Sequence, residues 1–410
     1  MKSGPSTLVS VTRLASYEPA AVLHSLRVCL APLGGMEAFV RPGQRVLLKP
    51  NLLGPFPPDR AVTTHPSVLR ATAILVREAG GLPFVGDSPA VGRLAQVAQL
   101  TGVVPVVRET GASLLELEEP AEFEVPGHHV FPRLVLARCL RSVDVVISLP
   151  KLKTHAQMTL TGALKNQFGC VPGLRKSEWH FRLQERPWLA ALLLDIHRVV
   201  RPALAIMDAG TAMEGAGPSA GRPRWVGALI AGTDFAAVDT LACHLIGLDP
   251  MQVPTCVAAR QQGLGQTELG GLQILGPDWR SFRVADFAPP PRSSEVLQML
   301  PLPGPLLQQL RRQISPRPKI RPELCVRCGV CEERCPVVPS AIRPQASRSR
   351  QIDDRRCIRC YCCHEFCPTH AIELPVPWLG RWLPLRGAAE VISRCLGWVA
   401  GLRGSRSPPR

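Results

Sequence analysis

The sequence predicts an α/β fold, a mostly parallel sheet with flanking helices, followed by a small α+β domain. Three observations support this prediction. Residues 1–275 alternate short apolar runs of β-type residues with amphipathic stretches of helical period, which is typical of an α/β domain. Residues 276–320 are rich in proline, as semi-rigid connectors are. Residues 321–375 contain two cysteine motifs of identical spacing, and residues 376–410 complete the chain.

Strands are predicted where short runs of apolar, mainly β-branched residues occur, and helices where apolar residues recur every three or four positions. The strands cover 8–12, 45–49, 83–86, 143–149 and 203–207, and the helices cover 18–33, 67–79 and 235–246. Ser67 is the predicted N-cap of its helix, because a hydroxyl side chain there accepts a hydrogen bond from the first turn. Several strands end in polar residues, and open α/β sheets place ligands at such ends.

Each cysteine motif reads C-x2-C-x2-C-x3-C-P, the signature of bacterial-type iron–sulfur ligation. Three thiolates two residues apart let one tight loop wrap three corners of a [4Fe–4S] cube, and the fourth Cys reaches the other cluster. The sequence therefore predicts a ferredoxin-like iron–sulfur domain with two [4Fe–4S] clusters as cofactors. The ligands of the first cluster are Cys325, Cys328, Cys331 and Cys367, and those of the second are Cys357, Cys360, Cys363 and Cys335.

A pair of structural zinc sites is the alternative to two clusters. Such sites usually pair two C-x2-C knuckles roughly 15–20 residues apart, without a third Cys at the next interval, so the spacing favours iron–sulfur clusters. The second motif has Tyr361 and Cys362 where the first has Gly329 and Val330. Cys362 is predicted to be a bystander thiol.

Composition and charge limit the function classes. The formal charge is +16, and two clusters of about two negative charges each lower it to about +12. Aromatic content is 5%, and no run interleaves aromatic with basic residues, so no nucleic-acid partner is expected. The charge favours a solvated basic surface first and an acidic redox partner protein second. The remaining cysteines are scattered, which is typical of a reducing compartment, and the expected location is the cytoplasm.

The C-terminal 35 residues, 376–410, carry apolar side chains at helical spacing over 385–402. We predict an amphipathic helix there, followed by a disordered tail. Packing of this helix on the protein itself is favoured over peripheral contact with a membrane surface. No run of about 18 apolar residues occurs, so no transmembrane helix is predicted.

Lysine is rare in this chain, and its positions are not random. Seven of the 48 lysine and arginine residues are lysine, and four of them lie in motifs at or near predicted strand ends. A lysine ammonium is a compact charge with a tunable pKa, and strand ends are where α/β folds place ligands. The sequence therefore predicts a pocket for a small anionic substrate, although ordinary surface charge is the alternative. Lys49, Asn51, Lys165 and Asn166 are the predicted binding residues, and Lys151, Lys153, His155 and Asp87 are the predicted catalytic residues.

Two further carboxylates, and His155 of the predicted catalytic set, each have a specific expectation. Asp208 follows an apolar strand, as ligand-orienting acids often do, whereas Asp239 lies in an apolar helical pattern and is expected to cap or pair internally. His155 can exchange a proton near neutral pH. The alternative for this residue is a structural imidazole bonded to the backbone.

Five short motifs of the first domain form a recognisable set. They are Lys49-Pro50-Asn51, Thr64-His65-Pro66, Gly86-Asp87-Ser88, the run from Pro150 to His155, and Lys165-Asn166. In this combination the chain resembles the DUF362 family, named for a domain of unknown function, over roughly residues 40–275. Members often carry a C-terminal two-cluster ferredoxin module. The resemblance implies a bacterial or archaeal cytosolic iron–sulfur protein and leaves the substrate open.

Two functions are compatible with these features. In the first, the clusters relay electrons to or from a small anionic substrate in the α/β domain, which makes the protein an iron–sulfur oxidoreductase. In the second, the protein is a non-enzymatic, ferredoxin-like electron carrier whose α/β domain docks a redox partner. The α/β domain has no glycine fingerprint for a dinucleotide and no P-loop.

Overall fold

The computed structural model describes residues 7–173, 175–183, 185–290, 313, 315–344 and 350–377. The chain divides into two compact units, residues 1–180 with 184–290 and residues 181–183 with 291–410. The first unit therefore continues fifteen residues past the predicted boundary at 275, because Phe282 and Phe287 of that stretch are buried. The predicted C-terminal helix lies outside the described residues. Within them, no helix combines the length and the apolar character of a membrane span.

The elements between residues 7 and 290 alternate strands and helices as predicted. The strands are β1 (Thr7–Arg13), β2 (Arg45–Pro50), β3 (Leu82–Val85), β4 (Ser113–Leu114), β5 (Pro120–Glu124), β6 (Arg133–Ala137), β7 (Val145–Leu149), β8 (Lys151–His155), β9 (Thr159–Thr161), β10 (Leu204–Glu214), β11 (Arg222–Gly232) and β12 (Leu272–Leu275). The helices are α1 (Pro19–Leu30), α2 (Pro66–Glu78), α3 (Leu94–Leu100), α4 (Val103–Thr110), α5 (Ala163–Asn166), α6 (Arg175–Arg182), α7 (Arg186–Val200), α8 (Phe235–Leu245) and α9 (Pro254–Gln261).

A ten-stranded sheet organises the first unit, in the order β12-β1-β11-β10-β7-β2-β3-β4, with β8 beside β10 and β9 beside β8. Six of its nine strand pairs are parallel, so the predicted fold class is confirmed. β11 runs antiparallel to both of its neighbours, β1 and β10. β5 and β6 form a separate antiparallel pair. The carboxyl ends of β2, β3 and β7 meet at one edge, where β10 pairs first with β7 and then with β8.

Helix α2 begins differently from the prediction. Ser67 was the expected N-cap, but the cap is His65, whose Nδ1 accepts a hydrogen bond from the Ser67 N–H at 3.2 Å. Pro66 explains the shift, because a proline fits the first helical position, where its missing N–H costs nothing. The cap residue must therefore precede Pro66, and His65 is brought to the edge of the sheet.

The second unit is built from two short halves, each with a strand, a helix and a strand, and both strand pairings join one half to the other. Its elements are β13 (Lys319–Ile320), α10 (Val330–Glu333), β14 (Ile342–Pro344), β15 (Arg350–Ile352), α11 (Cys362–Phe366) and β16 (Ile372–Glu373), with β13 pairing β16 and β14 pairing β15. Gly329 precedes α10 with a φ of 83°, and Tyr361 precedes α11 with a φ of 63°. A non-glycine residue in this conformation costs roughly 1–2 kcal/mol. The buried Tyr361 offsets part of this cost by donating its hydroxyl to the Pro316 carbonyl at 3.2 Å.

Candidate functional site

The eight motif cysteines of the second unit line two separate cavities. Each cavity takes three cysteines from one motif and the fourth from the other, as the crossed prediction requires. The first, with an empty volume of about 330 Å³ including open solvent, is lined by Cys325, Cys328, Cys331 and Cys367. The second, of about 320 Å³ on the same measure, is lined by Cys335, Cys357, Cys360 and Cys363.

The cavity walls suit iron–sulfur clusters. All eight thiols are free, and isoleucine side chains such as Ile320 and Ile342 complete the linings. The Ala371 N–H donates to the Cys367 sulfur at 3.2 Å, a contact that stabilises a ligand thiolate. In the described part of the chain, no three His, Cys, Asp or Glu side chains are arranged to hold a single metal ion. A four-iron cube needs more widely spaced thiolates than one ion does.

Burial favours the protonated form of three of these thiols when no metal is bound. It raises the pKa of Cys331 and of Cys357 to about 11, and the pKa of Cys363 well above its usual value. Metal binding must therefore displace protons. Cys362 is fully buried but lines neither cavity.

The predicted site lysines are buried rather than spread over the surface. Lys49 is 0% exposed, Lys151 and Lys153 are 1% exposed, and Lys165 is 8% exposed. Lysine is almost never fully buried unless it is paired. Lys176 is also buried and donates to the backbone oxygen of Ser88 at 2.5 Å. Sequence reasoning missed Lys176, although the scarcity of lysine is a signal that could have found it.

Lys49 and Asp87 form a buried ion pair where β2 and β3 end, with 3.0 Å between Nζ and Oδ1. The carboxylate also accepts the Leu52 N–H at 2.7 Å and the Ser88 N–H at 3.0 Å. Gly169 packs against this pair so closely that a Cβ there would lie 1.9 Å from Asp87 Oδ1. Asp87 is thus held by three donors and orients Lys49.

The two predicted asparagines lie beside this pair. Asn51 Nδ2 donates to Asn166 Oδ1 at 3.1 Å, and Asn166 Nδ2 donates to the Lys49 carbonyl at 3.1 Å. Asn166 Nδ2 also reaches Ser148 Oγ at 2.9 Å, which links the ends of β2 and β7. The structure therefore brings Lys49, Asn51, Asp87 and Asn166 together.

Lys151 belongs to a second buried ion pair, with Asp208. Lys151 Nζ lies 2.7 Å from Asp208 Oδ2 and 3.1 Å from the Tyr17 hydroxyl, which itself donates to Asp208 Oδ1 at 2.6 Å. Burial raises the pKa of Asp208, but the Lys151 ammonium and the Tyr17 and His65 donors together lower it below its usual value. Burial and the adjacent Asp208 charge raise the pKa of Tyr17 well above 10.0, so Tyr17 stays protonated.

Tyr17 was not found from the sequence. Its ring stacks on His65 with 3.7 Å between centroids, and Trp225 meets it edge-on at 5.8 Å. Burial lowers the pKa of His65 to about 4, so this ring is neutral at pH 7. The chain has only two tyrosines, and that rarity is a signal that could have found Tyr17.

The other two predicted lysines lie in a third group, which we call the basic cluster: Lys153, His155, Lys165, His180 and Arg186. His155 accepts the N–H groups of Gln157 and Met158 on Nδ1, each at 3.1 Å. Burial lowers the pKa of His155 well below 6.5, and the nearby Lys165, Lys153 and Arg186 charges lower it further. His155 is therefore bonded to the backbone, as the structural alternative expects, and the lowered pKa favours its neutral form.

Asp239 caps helix α5, which carries Lys165 and Asn166. Its carboxyl oxygens accept the N–H groups of Ala163, at 2.5 Å, and of Leu164, at 3.1 Å. The expectation of an internal capping role is therefore correct. Burial raises the pKa of Asp239 to about 7, although the two N–H donors act in the opposite direction.

The raised pKa of Asp239 predicts a pH-dependent stability. The folded protein retains this proton up to about pH 7, whereas an unfolded Asp releases it near pH 4. Between these values the contribution of Asp239 to the unfolding free energy falls as pH rises, by at most about 1.4 kcal/mol per pH unit. Urea titrations at pH 5.5, 6.5 and 7.5 should show a flatter pH dependence for Asp239→Asn than for the wild type. Parallel slopes would contradict the raised pKa.

Two features define the class of this protein. The α/β unit contains buried lysines, and the second unit contains two cysteine-lined cavities. Two family models match the chain: "Domain of unknown function (DUF362)" over residues 46–244 and "4Fe-4S dicluster domain" over residues 317–368. The chain belongs to the DUF362 family, and it carries a 4Fe–4S cluster-binding domain, consistent with two clusters. Both expectations from the sequence are confirmed.

The chain is also similar to one curated protein and to two solved structures. The chain is 43% identical over 260 residues to the thylakoid-associated protein sll1697 of Synechocystis sp., covering 63% of this chain and 80% of that one. The lactate racemase apoprotein of Thermoanaerobacterium thermosaccharolyticum has 8% identity and a TM-score of 0.34, covering 58% of this chain and 56% of that chain. A Thermotoga maritima protein has 12% identity and a TM-score of 0.29, covering 48% and 50%. The chain thus spans about half the length of these solved structures.

Proposed function

We propose that the protein transfers electrons through two [4Fe–4S] clusters, one in each cysteine cavity. The observation that carries this proposal is the division of eight free thiols into two cavity linings of four, each with one cysteine from the other motif. Such clusters supply one-electron chemistry, at low potential when all ligands are thiolates. The cysteines hold the clusters, and the apolar walls limit the access of water.

We further propose that the electrons serve a small anionic substrate bound in the first unit. Lys49 and Lys151 each face a carboxylate, so these pairs position the strand ends rather than bind an anion. Among the predicted residues, we assign contact with substrate to Lys153, Lys165 and His155, which lie together in the basic cluster. Asp87 and Asn51 then act through the Lys49 pair, and Asn166 supports the same network.

The carrier function remains the second candidate, since two of the four predicted lysines are engaged in ion pairs. In that case the first unit would dock an acidic redox partner protein. We propose a cytoplasmic location, because the buried Cys29, Cys170, Cys243 and Cys256 are free thiols. The relative's name associates that protein with thylakoids, so peripheral contact of this chain with a membrane surface is a further proposal.

Anaerobic purification tests the electron-transfer proposal. We expect about eight iron and eight sulfide per chain, and dithionite should produce an EPR signal of reduced clusters. Reoxidation by a mild acceptor should restore the starting absorbance in the same sample. Zinc in place of iron after reconstitution, or clusters that no biological reductant can reduce, would contradict the proposal.

A further inference from the structure

We propose that the basic cluster binds an oxyanion with at least two negative charges, a phosphate or a dicarboxylate. This inference rests on the anionic-substrate part of the proposed function and names the residues that contact the ligand. They are Lys153, His155, Lys165, His180 and Arg186, together with Thr161.

The β8–β9 hairpin provides one side of this site. Lys153 lies opposite Thr161, and His155 lies opposite Thr159. Directly opposed residues of an antiparallel pair share a face of the sheet, and so do alternate residues of one strand. These four side chains therefore lie on one face of the hairpin, and all four are buried.

The remaining charges converge on the same hairpin. Arg186 Nη2 donates to the Ala156 carbonyl at 3.0 Å, directly after His155. The charge of Lys165 lowers the pKa of both His155 and His180, after burial, which is the larger cause. The Phe168 ring lies near both Lys165 of α5 and His180 of α6. Its centroid lies 5.8 Å from Lys165 Nζ and 5.6 Å from the centroid of the His180 ring.

Three buried cations and two neutral imidazoles make a donor-rich site. Because His155 accepts hydrogen bonds on Nδ1, its neutral ring carries the proton on Nε2. Lysine and arginine have donors only, whereas the ionised oxygens of a phosphate or a carboxylate are acceptors, so the two chemistries match. Repulsion among buried like charges falls when an anion is bound between them.

Unpartnered polar atoms give independent support for a ligand. Thr161 Oγ1 and His180 Nδ1 have no hydrogen-bond partner among the described residues, although each residue is only 2% exposed. More than nine-tenths of buried polar groups are normally hydrogen-bonded. A bound oxyanion accepts a hydrogen bond from the Thr161 hydroxyl.

Thermal unfolding of the intact, cluster-loaded protein tests this inference. Inorganic phosphate and succinate are titrated separately, with chloride at equal ionic strength as the reference. We expect at least one of the two oxyanions to raise Tm with concentration, as a ligand of the native state does. Thr161→Val keeps the side-chain shape and should weaken oxyanion binding about tenfold, the loss of one charge-assisted hydrogen bond.

The matched control is Thr72→Val. Thr72 is equally buried, but its hydroxyl donates to the Val68 carbonyl at 2.8 Å within α2. This variant should lower Tm and leave the oxyanion-induced shift unchanged. Lys165→Gln should abolish the shift, and Lys165→Arg should retain most of it. If Lys165→Gln fails to fold, Thr161→Val and its control decide the question.

Two outcomes would overturn the inference: no stabilisation of the wild type beyond chloride, or an equal shift in Thr161→Val and the wild type. Iron content and EPR are measured on the same samples. Intact, reducible clusters without oxyanion binding would refute the basic cluster as a site and leave electron transfer standing. Oxyanion binding in a protein that assembles no clusters would refute the proposed function instead.

Discussion

Asp208→Asn should destabilise the first unit by about 3–5 kcal/mol, the cost of removing one partner of a buried ion pair. Lys151 is 1% exposed, and in the variant its ammonium no longer has a carboxylate partner. It also removes the negative charge to which Tyr17 donates. Urea unfolding followed by tryptophan fluorescence measures the loss, and Trp225 lies beside Tyr17 as a local reporter.

An exposed ion pair supplies the matched control. Arg27 and Glu78 lie 2.6 Å apart, with side chains 51% and 43% exposed, so Glu78→Gln should cost less than about 1 kcal/mol. The double variant Lys151→Met with Asp208→Asn should recover part of the loss, because no buried charge is then left alone. A cost below 1 kcal/mol for Asp208→Asn would mean that the pair does not hold the strand ends.

Cys335→Ser should remove about four of the eight iron atoms, and the lost cluster should be the second one. Cys335 lies in the first motif, but its side chain lines the cavity of Cys357, Cys360 and Cys363. The dithionite-reduced variant should therefore keep the EPR signal of one cluster. The interaction between two reduced clusters should disappear from the spectrum.

Cys362→Ser is the control for this experiment. Cys362 is adjacent in sequence to Cys363, a predicted ligand of the second cluster, yet it lines neither cavity. Its replacement should leave iron and sulfide contents at the wild-type level. Loss of the first cluster from Cys335→Ser, or loss of iron from Cys362→Ser, would show that the assignment of the thiols is wrong.

The sequence predicted the parallel part of the sheet well, because its strands are short, apolar runs that differ sharply from the helices. It predicted less of the antiparallel part. β8 and β9 are rich in Lys, Thr and His. They lack the run of apolar residues by which the other strands were predicted. They are buried by the packing of the folded unit, a tertiary effect that overrides local preference.

The candidate site was predicted in part for a similar reason. Strand-end position located Lys49 and Lys151 correctly, but position cannot show which carboxylate each one faces. Asp208 and Asp87 pair with them across gaps of 57 and 38 residues. His180 and Arg186 joined the site only through the packing of α6 and α7, and no local motif marks either residue.

Because each cavity takes its fourth cysteine from the other motif, neither cavity can be complete until late in the synthesis of the chain. Without this exchange, the first set would be complete when Cys335 leaves the ribosome. With it, the first cavity waits for Cys367, and the second waits for Cys363. Both sites therefore become complete within four residues of each other, at the end of the domain. A nascent chain that stalls before Cys363 has neither cavity complete.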